Sequence, residues 1–176
     1  MSEHTAGNNP VAAGTKIKSA WMEYVEDSLD SSLVRGGNVF KAYRTTTDQS
    51  LTNGVATTLL FNGVTFDVDS LYNSTTGIFS TAAGYYYLYA QATINGLTVG
   101  KVATLSIFSS GTGDMATNQL LTPADSEYGF ILPVQGVFYT GVPVSVTVKL
   151  SLPAGADVVT LVTGQNYSFF TGFRVR

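Results

Sequence analysis

The feature that most constrains the fold is a series of short segments in which apolar and polar residues alternate, running from about residue 39 to the C-terminus. In the clearest of them, residues 142–150, four valines and a leucine alternate with Pro143, Ser145, Thr147 and Lys149. Successive strand residues point to opposite faces, so this segment has one apolar and one mostly polar face. Many short strands separated by turns predict an all-β antiparallel sandwich.

The same pattern predicts further strands and the loops between them. The strands are expected at residues 39–45, 57–61, 78–80, 85–94, 102–108, 128–134, 158–162 and 168–175. Three connecting segments, 46–55, 109–118 and 153–157, are rich in Thr, Gly, Asn and Asp and are candidates for outward-facing loops. Pro143 near the start of the 142–150 segment is typical of a strand beginning or an edge.

The segment GYYYLYAQATI, residues 84–94, predicts a strand with two different faces. Four of its even positions, Leu88, Ala90, Ala92 and Ile94, form an apolar face that suits a core. Its odd positions form an amphipathic face of Tyr85, Tyr87, Tyr89, Gln91 and Thr93. Tyrosine packs a large ring but needs a partner for its hydroxyl, and it is enriched at interfaces. This face therefore predicts contact with a second protein surface; a tyrosine cluster inside one sandwich is the alternative.

The N-terminal part of the chain has a different texture. Residues 1–14 are small and polar and predict a flexible arm, while residues 35–38 predict a hinge before the β-rich domain at 39–176. Between them, residues 15–34 predict one amphipathic α-helix, since apolar side chains recur on one side. Its apolar stripe consists of Ile17, Trp21, Tyr24, Val25 and Leu29. The helix either covers part of the domain core or serves as a docking and assembly device. Its charges oppose the helix dipole, and a helix this short needs a partner surface, which favours the docking device.

Composition excludes several classes of protein. Charged residues make up 12% of the chain, against about 25% in ordinary soluble domains, so part of the surface is either neutral or buried against another subunit. The net charge of −3 and the lack of any Lys or Arg run argue against nucleic-acid binding. No apolar stretch suits membrane insertion, and the N-terminus has no apolar core of a signal peptide.

The sequence offers little for catalysis or metal binding. There is no cysteine, and the one histidine, His4, lies in the predicted arm. The acidic pairs Asp67 with Asp69 and Asp125 with Glu127 fall in turns and are interpreted as solvated carboxylates. Glycoside cleavage or calcium binding by these pairs is the alternative, but no ligand loop of recognised spacing is present. We therefore expect no enzyme activity, no cofactor and no metal site.

Three segments resemble the C1q and tumour-necrosis-factor superfamily of trimeric jelly rolls. GYYYLYAQ (84–91) resembles its central strand, SFFTGFRV (168–175) its last strand and VFKAYR (39–44) its first, in the same order and spacing from 39 to 176. The resemblance implies an antiparallel jelly-roll β-sandwich and a homotrimer with aromatic packing on the threefold axis. It places Tyr89 near that axis, together with either Phe169 or Phe170. The implied trimer interface comprises Tyr85, Tyr87, Tyr89, Gln91, Phe169 and Phe170.

The segment at residues 10–31 is similar in style to the short helical heads of bacteriophage appendage proteins. This resemblance implies a non-enzymatic homotrimeric virion protein, a short head or tail fibre or decoration protein made in the host cytoplasm. Its N-terminal helix would attach to a capsid or tail protein, and its jelly-roll head would adhere to a host surface glycan or protein. A bacterial C1q-like surface adhesin or a trimeric ligand is the alternative.

Overall fold

The structure is a computed structural model that describes residues 39–45, 48–122, 129–155 and 158–175. The predicted arm, amphipathic helix and hinge all lie outside these residues. Within the described ranges the chain forms thirteen strands in two antiparallel sheets around one core. This confirms the prediction of an all-β antiparallel sandwich. The part of the chain that the structure describes contains no helix long and apolar enough to cross a membrane.

The first sheet, sheet A, has seven strands centred on the two-faced segment. They are β1 (Phe40–Tyr43), β2 (Gln49–Leu51), β4 (Gly63–Asp67), β7 (Gly84–Asn95), β10 (Phe130–Thr140), β12 (Val159–Leu161) and β13 (Phe169–Val175). β7 pairs with β10 on one side and with β13 on the other, and β1 and β4 follow beyond β13. β12 pairs with the end of β7 and with β2. The central strand and the last strand are therefore direct neighbours.

The second sheet, sheet B, has six strands. They are β3 (Ala56–Thr58), β5 (Tyr72–Asn73), β6 (Ile78–Ser80), β8 (Val102–Ser109), β9 (Gly113–Leu121) and β11 (Ser145–Ser151). The order is β5-β6-β11-β8-β9, with β3 also pairing with β11. β11 is therefore interior, and Pro143 precedes it, where the missing amide costs no ladder hydrogen bond.

Alternate residues of the long strands fill the core between the sheets. On β7 the core-facing apolar residues are Tyr86, Leu88, Ala90, Ala92 and Ile94, and on β11 they are Val146, Val148 and Leu150. An aromatic cluster lies at the centre, where the ring of Phe40 is 4.2 Å from that of Phe79 and 4.8 Å from that of Phe170, centroid to centroid. Stacked and edge-to-face pairs at these distances stabilise a core beyond the area they bury.

Several strand and loop predictions were wrong. The predicted loop at 46–55 contains β2, and no strand was predicted at β4 or β5. Most of the predicted loop at 109–118 belongs to β9, an edge strand whose largely exposed residues lack a clear apolar alternation. β10 continues to Thr140, past the predicted end at 134. Pro133 and Gly136 resemble strand breakers in the sequence, but β10 pairs only with β7, and an edge strand tolerates proline.

Candidate self-association surface

The outward side of sheet A carries a contiguous set of aromatic and aliphatic side chains. The pairing register sets Tyr85 beside Tyr139 and Val175, and Tyr87 beside Val137 and Phe173. Tyr89 lies between Gln135 and Thr171 in the next row. We call this surface the aromatic face and define it as Tyr85, Tyr87, Tyr89, Val137, Tyr139, Phe169, Phe173 and Val175.

Three ring pairs fix the geometry of the aromatic face. The ring centroids are 4.8 Å apart for Tyr85 and Tyr139, 5.3 Å for Tyr87 and Phe173, and 5.4 Å for Tyr89 and Phe169. Each pair joins a β7 tyrosine to a ring on a flanking strand, as cross-strand pairs do when they stabilise a sheet. The rings therefore hold one another in place before any partner arrives.

The aromatic face is open to solvent at one end. Val137 is 64% exposed, Tyr139 63% and Tyr85 50%, and Phe173 and Val175 beside them are also exposed. Single exposed apolar residues are ordinary on a protein surface, but a contiguous patch marks a site of interaction. This end of sheet A is therefore the strongest candidate for contact with another protein surface.

Hydrogen bonds within the chain occupy the tyrosine hydroxyls in the middle of the face. The Tyr87 hydroxyl donates to Gln135 Oε1 at 2.8 Å, and the Tyr89 hydroxyl donates to Gln91 Oε1 at 3.1 Å. Burial first, and the nearby Tyr87 second, raise the pKa of Tyr89 above its ordinary value. Because both hydroxyls already have partners, a second surface could cover these rings without leaving an unpaired polar group.

Gln91 ties this network to the loop before β13. Its Nε2 donates to the carbonyl oxygens of Asn166 at 3.0 Å and Tyr167 at 3.1 Å. The neighbouring Thr93 hydroxyl donates to the same Tyr167 carbonyl at 2.7 Å. Gln91 therefore positions the entry to the last strand and the tyrosine beside it.

Sequence reasoning located half of the residues of the aromatic face and made one error. Tyr85, Tyr87, Tyr89, Gln91 and Phe169 lie on the outward side of sheet A, although their predicted role in a trimer stays a prediction. Phe170 was wrong as an interface residue, because its side chain is 0% exposed and packs in the aromatic core. Val137, Tyr139, Phe173 and Val175 were missed. The last two share the alternation of Phe169 and could have been found from it, whereas Val137 and Tyr139 lay beyond the predicted end of their strand.

A cleft of about 380 Å³ opens beside the aromatic face, between the edge strands β9 and β10. Its lining residues are Tyr89, Thr117, Asn118, Pro133, Val134 and Gln135. The Asn118 side-chain amide donates to the Pro133 carbonyl at 2.7 Å and links the two sheet edges. Tyr89 belongs to both the cleft and the aromatic face, so the two surfaces are continuous.

One of the four carboxylates considered for chemistry, Asp67, has a structural role. Asp67 accepts hydrogen bonds from the backbone amides of Leu71 at 3.1 Å and Tyr72 at 2.8 Å, which fixes the turn after β4. The described ranges contain no group of three or more side chains that could hold a metal ion. His4, Asp125 and Glu127 lie outside the described residues.

The comparisons with known proteins are structural. Neither a family model nor a curated protein matches the sequence. The fold is similar to that of murine APRIL at pH 5.0, with 15% identity, a TM-score of 0.59 and coverage of 78% of this chain and 98% of that one. It is also similar to the globular domain of zebrafish complement 1qA, with 16% identity, a TM-score of 0.54 and coverage of 80% and 98%. The described part of the chain therefore has the C1q/TNF-like jelly-roll fold that the sequence resemblance implied.

Proposed function

We propose that the chain is a non-enzymatic homotrimeric virion protein, a short head or tail fibre or decoration protein, that displays a jelly-roll head. Three copies associate through the aromatic face. The N-terminal segment at 15–34 attaches the trimer to a capsid or tail protein of the particle, and the heads adhere to a glycan or protein of the host surface. The observation that supports the association of copies is the open aromatic face on sheet A, whereas the virion role rests on the resemblance of residues 10–31 to helical heads of appendage proteins.

The contrast between the two sheets supports self-association. The outward positions of β8 and β11 on sheet B are mostly polar, with Thr104, Ser145, Thr147, Lys149 and Ser151 among them. A sheet face with such side chains suits water, whereas the aromatic face of sheet A suits a dry contact. Full burial of a large apolar side chain contributes about 1.5–3 kcal/mol. Several such rings supply the free energy that association requires.

Trimeric assembly gives the display function its physical basis. A closed ring of copies covers one face of each subunit and leaves the opposite faces and the loops outside. Three weak sites on one rigid body raise the overall avidity through effective concentration, without a new contact at any site. Such multivalent adhesion suits a particle that must hold on to a surface through individually weak contacts.

A pair of surface variants tests the association. Tyr139→Ser removes an exposed ring of the aromatic face and should weaken association by about tenfold or more, because buried aromatic residues dominate interface energies. Val55→Ser is the control, since Val55 is also an exposed large hydrophobic residue but directly precedes β3 of sheet B. A dilution series followed by light scattering measures both. Equal association of the two variants would contradict the use of this face.

A second experiment tests whether the protein is located on the virion. Electron microscopy of particles carrying a labelled copy should find the label on the virion, and deletion of residues 1–34 should remove it while the trimer persists. Label found on the surface of a bacterial cell, and absent from particles, would favour the alternative of a C1q-like surface adhesin or trimeric ligand. Turnover of host glycans that is lost with Asp67→Asn would argue for an enzyme instead.

A further inference from the structure

Lys41 is a charged residue on a neutral surface. It lies on β1 between Thr171 of β13 and Phe66 of β4. Every other outward position on the described strands of sheet A carries an aromatic, aliphatic or uncharged polar residue. An ammonium group on this side of the sheet therefore calls for a specific partner.

The Lys41 ammonium lies over an aromatic ring. Its Nζ lies 5.2 Å from the centroid of the Phe169 ring, and the residue is half-buried. Among the described residues, this ring is the group that the ammonium contacts. Arg44 and Arg174 differ, since their guanidinium groups donate to the carbonyls of Leu60 and Ala83. A cation over a ring retains its need for hydrogen-bond acceptors, which water meets while the face is open.

Covering the aromatic face would remove that water. A buried ammonium without a partner is costly, whereas one that meets a carboxylate offsets much of its desolvation. The Phe169 ring that Lys41 covers is itself stacked on Tyr89, so the ammonium lies beside the aromatic face. The chain carries 12 acidic and 9 basic residues, so acidic side chains outnumber basic ones on each copy.

We infer that Lys41 is a recognition residue of the assembly and pairs with a carboxylate of a second copy of this chain. The inference rests on the proposed self-association and deepens it. A pairing of this kind fixes the register between copies, because a shifted copy would leave a buried charge on each side. The site is incomplete in a single chain, since the partner copy supplies the acid.

Substitution by methionine gives a test with a definite sign. Lys41→Met keeps a long unbranched side chain over Phe169 but removes the charge. If a carboxylate of a second copy faces Lys41, this change leaves that carboxylate unpaired and weakens association by about tenfold or more. If no carboxylate is there, the loss of the ammonium removes a desolvation cost and strengthens association instead.

The experiment is sedimentation equilibrium on the full chain, with four proteins. Lys41→Met should dissociate at higher concentration than the wild type, and Lys41→Arg, which keeps the charge, should stay within a few-fold of it. Lys149→Met is the matched control and should be unchanged, because Lys149 also covers a ring, 3.1 Å from the centroid of Phe108, but on the outward side of sheet B. Raising the salt from about 0.1 to about 1 M should weaken the wild type more than Lys41→Met.

The outcomes separate this inference from the proposed function. A wild-type protein that stays monomeric at every concentration would contradict the proposed assembly. A wild type that assembles, with a Lys41→Met variant that assembles as tightly or more tightly, would overturn the pairing alone. Assembly that requires added phosphate would also overturn it, since the anion would then come from solution. Equal weakening by Lys41→Arg and Lys41→Met would assign Lys41 to packing and not to charge.

Discussion

Phe169 and Phe170 are adjacent on β13 and point to opposite sides of sheet A, so truncating each one separates folding from assembly. Phe170 is fully buried and its ring meets that of Phe40 edge to face at 4.8 Å. Phe169 is half-buried, stacks on Tyr89 and carries the Lys41 ammonium. The substitution to alanine is chemically identical at the two positions, so differences in outcome come from the side of the sheet.

The expected magnitudes differ severalfold. Phe170→Ala removes a ring from a packed core and leaves a cavity, which costs about 3–5 kcal/mol of folding free energy. For a chain of this size that corresponds to a melting temperature lower by roughly 10 °C. Phe169→Ala loses one stacked pair and one cation contact at a half-exposed site, about 1 kcal/mol within a single chain. Its larger effect should appear in association, since it opens the surface that a second copy covers.

Urea unfolding at two protein concentrations measures both effects. Association stabilises the folded chain by mass action, so the wild-type midpoint should rise with concentration. Phe170→Ala should lower the midpoint at both concentrations and keep the rise, whereas Phe169→Ala should reduce the rise and change the dilute midpoint little. The reasoning is refuted if Phe169→Ala costs as much in dilute solution as Phe170→Ala, or if it leaves the concentration dependence intact.

Two further predictions concern pH and backbone packing. Burial raises the pKa of Tyr72, and burial with the neighbouring Tyr87 raises that of Tyr89, from an ordinary value of 10.0. The unfolded chain then releases these protons at lower pH than the folded chain, so the free energy of unfolding should fall as the pH rises above about 10. Urea melts of Tyr72→Phe and Tyr89→Phe should each show a shallower fall of this free energy with pH. An unchanged slope would contradict the assignment. At Gly172, an added Cβ would lie 2.9 Å from the Tyr87 carbonyl oxygen, so Gly172→Ala should cost about 1–3 kcal/mol in thermal melts. Gly141→Ala, where the nearest atom would be 3.9 Å away, should be close to neutral; equal costs at the two glycines would refute the packing argument.

The sequence was most informative where one side of a strand faces a core. The alternation in residues 84–94 predicted β7 and its two faces because a buried side favours apolar residues at every second position. The same logic could not choose between Phe169 and Phe170. Phe169 and Phe170 are adjacent in SFFTGFRV, so their side chains point to opposite sides of the strand. Only the pairing of β13 with β7 and β1 decides which ring enters the core.

Edge strands were the hardest to predict. β9 pairs on one side only and is mostly exposed, so water imposes no alternation on its residues. β2 and β5 span three and two residues, too few for any period to emerge. The outer half of the aromatic face was missed for a related reason, because Val137 and Tyr139 follow Pro133 and Gly136, which suggest that the strand has already ended.

The mass of the intact protein in solution tests the central claim most directly. Sedimentation equilibrium should give about 56 kDa, three times the 18.7 kDa of one chain, with Tyr139→Ser shifted toward the single-chain mass at the same concentration. A wild type that keeps the mass of one chain up to the highest soluble concentration would mean that the aromatic face stays open to water. The account of this surface would then be wrong.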